Sequence, residues 1–229
     1  MATSGRTEAE REALHEAAPA VAFAIVVQVA LAIVSAVENW TTWKFGWWMW
    51  LVPVPFEVVF FVLNSWHRPH QKLEEMGIRR QVGIVVLAAA SSANAFLVFS
   101  VIASLVSGHE SSGAQLLLKG GAVWLTNVIL FGLWFWLFDQ GGPSERLGSN
   151  PPKPDFLFPQ TDDKDIAPPG WRPHFVDYMY VSFTNSIAFS PTDTLPLNRW
   201  AKLLMLFESA LSALVILLIA ARSVNIFKS

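Results

Sequence analysis

The densest chemistry in the sequence lies between Thr184 and Thr194. Thr184-Asn185-Ser186 set three small polar side chains in a row, Ile187-Ala188-Phe189 follow, and Ser190-Pro191-Thr192-Asp193-Thr194 bring hydroxyls and one carboxylate together. Ser before Pro, with Asp two residues later, favours a turn. Apolar sequence on both sides places this turn near membrane depth. Irregular backbone survives there only where protein or a watery cavity satisfies its polar groups. Converging hydroxyl and carboxylate oxygens would admit cations with little discrimination. Two further acids interrupt apolar runs: Glu57, just after Pro53-Val54-Pro55-Phe56, and Glu208, one helical turn before Ser212. An acid at that depth is expensive and marks a functional candidate. Glu57 reads either as a proton-linked or ion-coordinating carboxylate beside a proline break, or as a hydrogen-bonded acid that holds helices together. Glu208 reads either as a pore-facing group or as a brace behind the polar turn.

The elements that position these residues follow from composition and run length. The chain is 53% hydrophobic and only 15% charged, and its mean hydropathy of +0.40 takes it out of the soluble globular class. Five apolar runs are long enough for a hydrocarbon core: 20–37, 47–63, 82–106, 116–138 and 201–227. Trp47, Trp48, Trp50, Trp66, Trp134 and Trp136 fall near run ends, where indole rings favour the interface. The expected fold class is therefore all-α integral membrane, with five transmembrane helices. The mixed-charge start, Glu8 to Glu16, reads as a helical lead-in rather than a secretory leader. There is no cysteine, so disulfides and thiolate chemistry are excluded. A net charge of −2 without a basic block argues against nucleic acid as a partner.

Catalytic signatures are missing. No nucleophile elbow, zinc-protease helix, phosphate loop or dinucleotide motif occurs. His67 and His70 lack a carboxylate pair to complete a metal set, and Asp162, Asp163 and Asp165 lack the glycine and terminal glutamate of a calcium loop. The expectation is a non-enzyme with no cofactor and no metal. Asn94 and Asn127 read as interhelical hydrogen-bonding residues, and the small residues 88–93 as a close helix contact.

Two regions emerge: 1–115, a lead-in with three helices, and 116–229. The second comprises a helix at 116–138, a Gly/Pro/Asp-rich loop at 139–173, a short amphipathic helix and turn at 174–198, and a last helix at 199–227. Within the short helix Phe175, Tyr178, Met179, Ser182, Phe183 and Ser186 keep helical spacing, and Asp177 suits the positive end of the helix dipole. This order, with Asp193-Thr194-Leu195-Pro196-Leu197-Asn198-Arg199, resembles the pore module of the tetrameric potassium-channel superfamily: outer helix, pore helix, filter turn, inner helix. Aligned through Asp193, the family's threonine-valine-glycine-tyrosine-glycine filter becomes Ala188-Phe189-Ser190-Pro191-Thr192. Both glycines are gone, and Pro191, with fixed φ and no N–H, cannot reproduce the filter backbone. The whole chain also resembles a group of uncharacterised bacterial membrane proteins that share its helix order and the Phe-Ser-Pro-Thr-Asp-Thr turn.

The resemblance implies a homotetrameric pore-loop cation channel in the plasma (inner) membrane. It would pass monovalent cations without potassium selectivity, through a constriction of Thr184, Asn185, Ser190, Thr192 and Asp193. Alternatives are a non-conducting assembly protein that keeps the channel-like fold and, further off, a proton-coupled transporter using Glu57. Counting Arg and Lys in the short connections favours a cytoplasmic N-terminus.

Overall fold

The computed structural model describes residues 15–65, 78–108, 112–148, 150–163, 165–189 and 193–226, with side chains as far as 222. His67 and His70 lie outside the described residues, as do Ser190, Pro191 and Thr192. The helices are α1 (Ala18–Val37), α2 (Val54–Ser65), α3 (Arg79–Val106), α4 (Gly113–Phe138), α5 (Phe175–Ala188) and α6 (Arg199–Ile226). Two short strands, β1 (Phe156–Leu157) and β2 (Leu195–Pro196), pair antiparallel. Five segments are long and apolar enough to cross a membrane: α1, α3, α4, α6, and α2 together with the 3-10 turn Trp47–Leu51 before it. This is an all-helical, multi-pass architecture.

The break expected at the two prolines lies between that 3-10 turn and α2. Proline lacks the N–H an interior helical position needs but suits a first turn. Accordingly, Pro53 O accepts from Phe56 N (3.0 Å) and Glu57 N (3.1 Å) as α2 begins.

α4 is the hub of the bundle. Two thirds of its most apolar window is buried, against 33% or less for the other spans. At its early end the Lys119 side chain is buried. Its Nζ donates to Thr41 O at 2.8 Å and lies 5.7 Å from the Trp40 ring centre, tying the α1–α2 connection to α4. Midway, Trp134 Nε1 donates to Ser91 Oγ at 2.9 Å, and Asn94 Nδ2 to Asn127 Oδ1 at 3.5 Å, linking α3 to α4. The asparagines thus hold helices together, as their positions implied. At Gly132 an added Cβ would stand 3.1 Å from Met179 Cα, so the missing side chain sets how closely α5 approaches.

The loop after α4 is tied down rather than slack. Gly142, at φ 104°, turns the chain so tightly that a Cβ there would lie 2.9 Å from Leu137 O. Asp139 Oδ1 accepts Asp155 N at 2.7 Å, and its other oxygen accepts the Tyr178 hydroxyl. Asp155 in turn accepts from Gln140 N (3.1 Å), Trp200 Nε1 (3.2 Å) and Asn198 Nδ2. Two aspartates thereby join the end of α4, the loop, α5 and the start of α6. Phe135, Phe156, Phe158, Tyr178 and Trp200 form a ring cluster beside them, edge-on except for the tilted Phe135–Phe156 pair.

Candidate functional site: a half-length helix and its polar clamp

α5 begins at the end of the bundle where α4 stops and α6 starts. A helix leaves its first amides without internal partners, and in apolar surroundings each needs an acceptor. Here Asp177 Oδ2 accepts His174 N (2.7 Å), and Glu16 Oε2 accepts Phe175 N (2.9 Å). The other Glu16 oxygen sits 2.7 Å from His174 Nδ1. Glu16, two residues before α1, therefore helps to seat α5.

With 14 residues, α5 is about 21 Å long at 1.5 Å per residue, too short to cross a bilayer. It runs antiparallel to α4. Met179 lies against Gly132, and the Phe183 and Trp124 rings meet at 5.7 Å. It ends at Phe189 in the left-handed region (φ 55°, ψ 26°), a conformation that terminates helices. Six residues later Leu195 pairs with Leu157, and Pro196 with Phe156, whose ring contacts Tyr178 in the first turn of α5. The chain therefore leaves one end of the bundle at His174 and is back at that end by Leu195.

What holds α5 in place is a buried polar clamp. Ser182 Oγ lies within hydrogen-bonding distance of Val128 O on α4 (2.7 Å) and of Glu208 Oε1 on α6. Asn185 Nδ2 donates to Glu208 Oε2 (2.7 Å) and Met205 O (2.9 Å), and Asn185 Oδ1 accepts Ser209 Oγ (3.0 Å). Ser182 and Glu208 are fully buried and Asn185 is 2% exposed. Lipid tails give helices no hydrophobic reason to associate, so such bonds and close packing carry the contact.

The expected site residues divide accordingly. Glu208 is bonded to α5 through Ser182 and Asn185. Asn185, expected at a constriction, has its amide engaged inside the protomer. Thr184 Oγ1 bonds back to Tyr180 O (2.9 Å) and Val181 O (3.1 Å). Ala188, Phe189 and Asp193 are exposed, and Asp193 Oδ1 accepts Thr194 Oγ1 at 3.1 Å.

Glu57 lies in a second buried polar site, on the first turn of α2 and 2% exposed. Its Oε1 accepts Gln28 Nε2 from α1 at 2.8 Å, while Glu57 Oε2 and Gln28 Oε1 have no partner among the described residues. Sequence reasoning passed over Gln28, although an amide inside a run of Val and Ala was the available signal. The Asp139–Tyr178 pair was also missed, because its members are 39 positions apart. Comparison of the chain with protein-family models, curated proteins and solved structures finds no match.

Proposed function

We propose that the protein is the subunit of a pore-loop cation channel, assembled as a homotetramer, with α5 as its re-entrant pore helix and α6 as its inner helix. The observation that supports this is the path of the chain: a half-length helix, clamped between two full spans, that departs from and returns to one end of the bundle. Irregular backbone beside such a helix is stable where it lines a watery cavity. One copy supplies a single such segment, and cyclic symmetry is the simplest way to close a pore. The outer stripe of α5, Val176, Tyr180, Phe183 and Ile187, is 44–59% exposed in the protomer and is available to neighbouring copies. The constriction is formed by Thr184, Ser190, Thr192 and Asp193, and it passes monovalent cations without strong discrimination. The N-terminus is cytoplasmic, and the pore loop enters from the cytoplasmic face of the plasma (inner) membrane.

One observation favours the alternative of a non-conducting assembly protein. The polar side chains of the last turns of α5, Thr184, Asn185 and Ser186, already have partners inside the protomer. Flux from purified protein in liposomes separates the readings, with potassium, sodium and chloride gradients applied in turn and mass measured on the same sample. Cation flux from a tetramer, altered by Asp193→Asn, is the expected result. A tetramer silent under every gradient, voltage and pH would leave the assembly role. A conducting protein indifferent to Asp193→Asn would remove the carboxylate ring.

A further inference from the structure

A cleft of about 210 Å³ opens between the last turn of α2, the first turns of α3 and the Gly141-Gly142-Pro143 turn after α4. Arg79, Arg80, Ser144, Asn64 and Glu145 line it at the level of the helix ends. One turn deeper its lining changes to Phe60, Gly83, Trp136 and Leu137. Arg79 Nη1 donates to Ser144 Oγ at 2.8 Å, which fixes the guanidinium, and Arg80 next to it is exposed. Among the described residues, two arginines and one glutamate line the cleft. The charge and the depth profile together describe the ligand: an anionic head at the membrane boundary and a hydrocarbon portion below it.

We infer that this cleft is a binding site for an anionic phospholipid, with the phosphodiester held by Arg79, Arg80 and Ser144 and the upper acyl region entering beside Leu63 and Gly83, over the buried Phe60, Trp136 and Leu137. Guanidinium groups match phosphate oxygens in paired hydrogen bonds, and basic pockets between membrane helices take acidic headgroups. A free phosphate would use the arginines but not the apolar wall. The site is built by α2, α3 and the turn after α4, and among the described residues only its buried Trp136 touches α5, through the Phe175 ring at 6.1 Å.

The test is native mass spectrometry and thermal unfolding of detergent-purified protein, titrated with phosphatidylglycerol, phosphatidylcholine or inorganic phosphate. Phosphatidylglycerol is expected to be retained and to raise the unfolding temperature, while the other two do neither. Arg80→Gln is expected to weaken phosphatidylglycerol about fivefold, the worth of one interfacial basic residue. Lys153→Ala, an exposed cation elsewhere, leaves binding unchanged. Gly83→Leu keeps both arginines and fills the cleft, since the nearest atoms to a Cβ there are 4.0 Å away on Leu137; it too is expected to displace the lipid. Equal retention of phosphatidylcholine would overturn the inference, as would full retention in Arg80→Gln and Gly83→Leu. Stabilisation by phosphate alone would assign the arginines to a free anion and overturn the lipid assignment.

Discussion

Replacing Glu208 by Gln and by Leu distinguishes what the clamp needs. Ser182 carries one hydroxyl proton but stands within hydrogen-bonding distance of both Val128 O and Glu208 Oε1. Val128 O can only accept. The arrangement closes if Ser182 gives its proton to Val128 O and a donor occupies the Oε1 position. A glutamine amide provides that donor, while its oxygen takes the place of Oε2 and still accepts from Asn185. Glu208→Gln therefore keeps every bond of the clamp and adds one buried amide N–H, so its loss of stability should stay at about 1 kcal/mol, below that of leucine. Leucine removes both contacts and strands one Asn185 N–H in a site that is 2% exposed or less. Interhelical bonds in membranes are worth about 0.6 kcal/mol on average and about 1.7 at most, so two of them give a loss of about 1–3 kcal/mol. The assay is reversible unfolding in mixed micelles, with α5 monitored by spin-label pairs. Labelling is unambiguous because the chain contains no cysteine. If glutamine proves as damaging as leucine, the carboxylate charge is what matters and the proton count is wrong. If leucine costs nothing, packing alone holds α5.

Glu57→Gln offers a second donor test. A glutamine Nε2 would supply the partner that Gln28 Oε1 lacks, so unfolding resistance should stay equal or rise by up to about 1 kcal/mol, whereas Glu57→Leu should lower it by about 1–3 kcal/mol. A lower stability for Glu57→Gln than for Glu57→Leu would show that a charge or bound cation occupies the site. Gly132→Val should cost about 1–3 kcal/mol, because its branched side chain enters a gap already at 3.1 Å for Cβ; wild-type unfolding would mean that α4 and α5 separate freely. For Tyr178→Phe and Asp139→Asn, a double-mutant cycle should return a coupling above about 0.5 kcal/mol. Additive effects would mean that the pair does not anchor the loop.

Apolar run length alone located the five spans, because crossing hydrocarbon demands about 20 residues of continuous helix and leaves little room for another solution. The short helix was legible too, from its spacing of Phe175, Tyr178 and Ser182 and from Asp177 at its start. The polar turn could be recognised as unusual, since Ser-Pro-Thr-Asp between apolar helices contradicts its surroundings. Other properties arose only when distant segments met. A carboxylate at Glu208 has the same composition whether it faces a pore or a helix; its partners, Ser182 and Asn185, reach it from 26 and 23 positions away. Gln28 and Glu57 acquire meaning only where α1 crosses α2. Asp139 and Asp155 looked like loop acids, yet backbone amides and the Tyr178 hydroxyl converge on them. Periodicity and hydropathy are local quantities that fix which segments enter the membrane. Hydrogen-bond partnership is a property of pairs, and only the packed helices select the pairs.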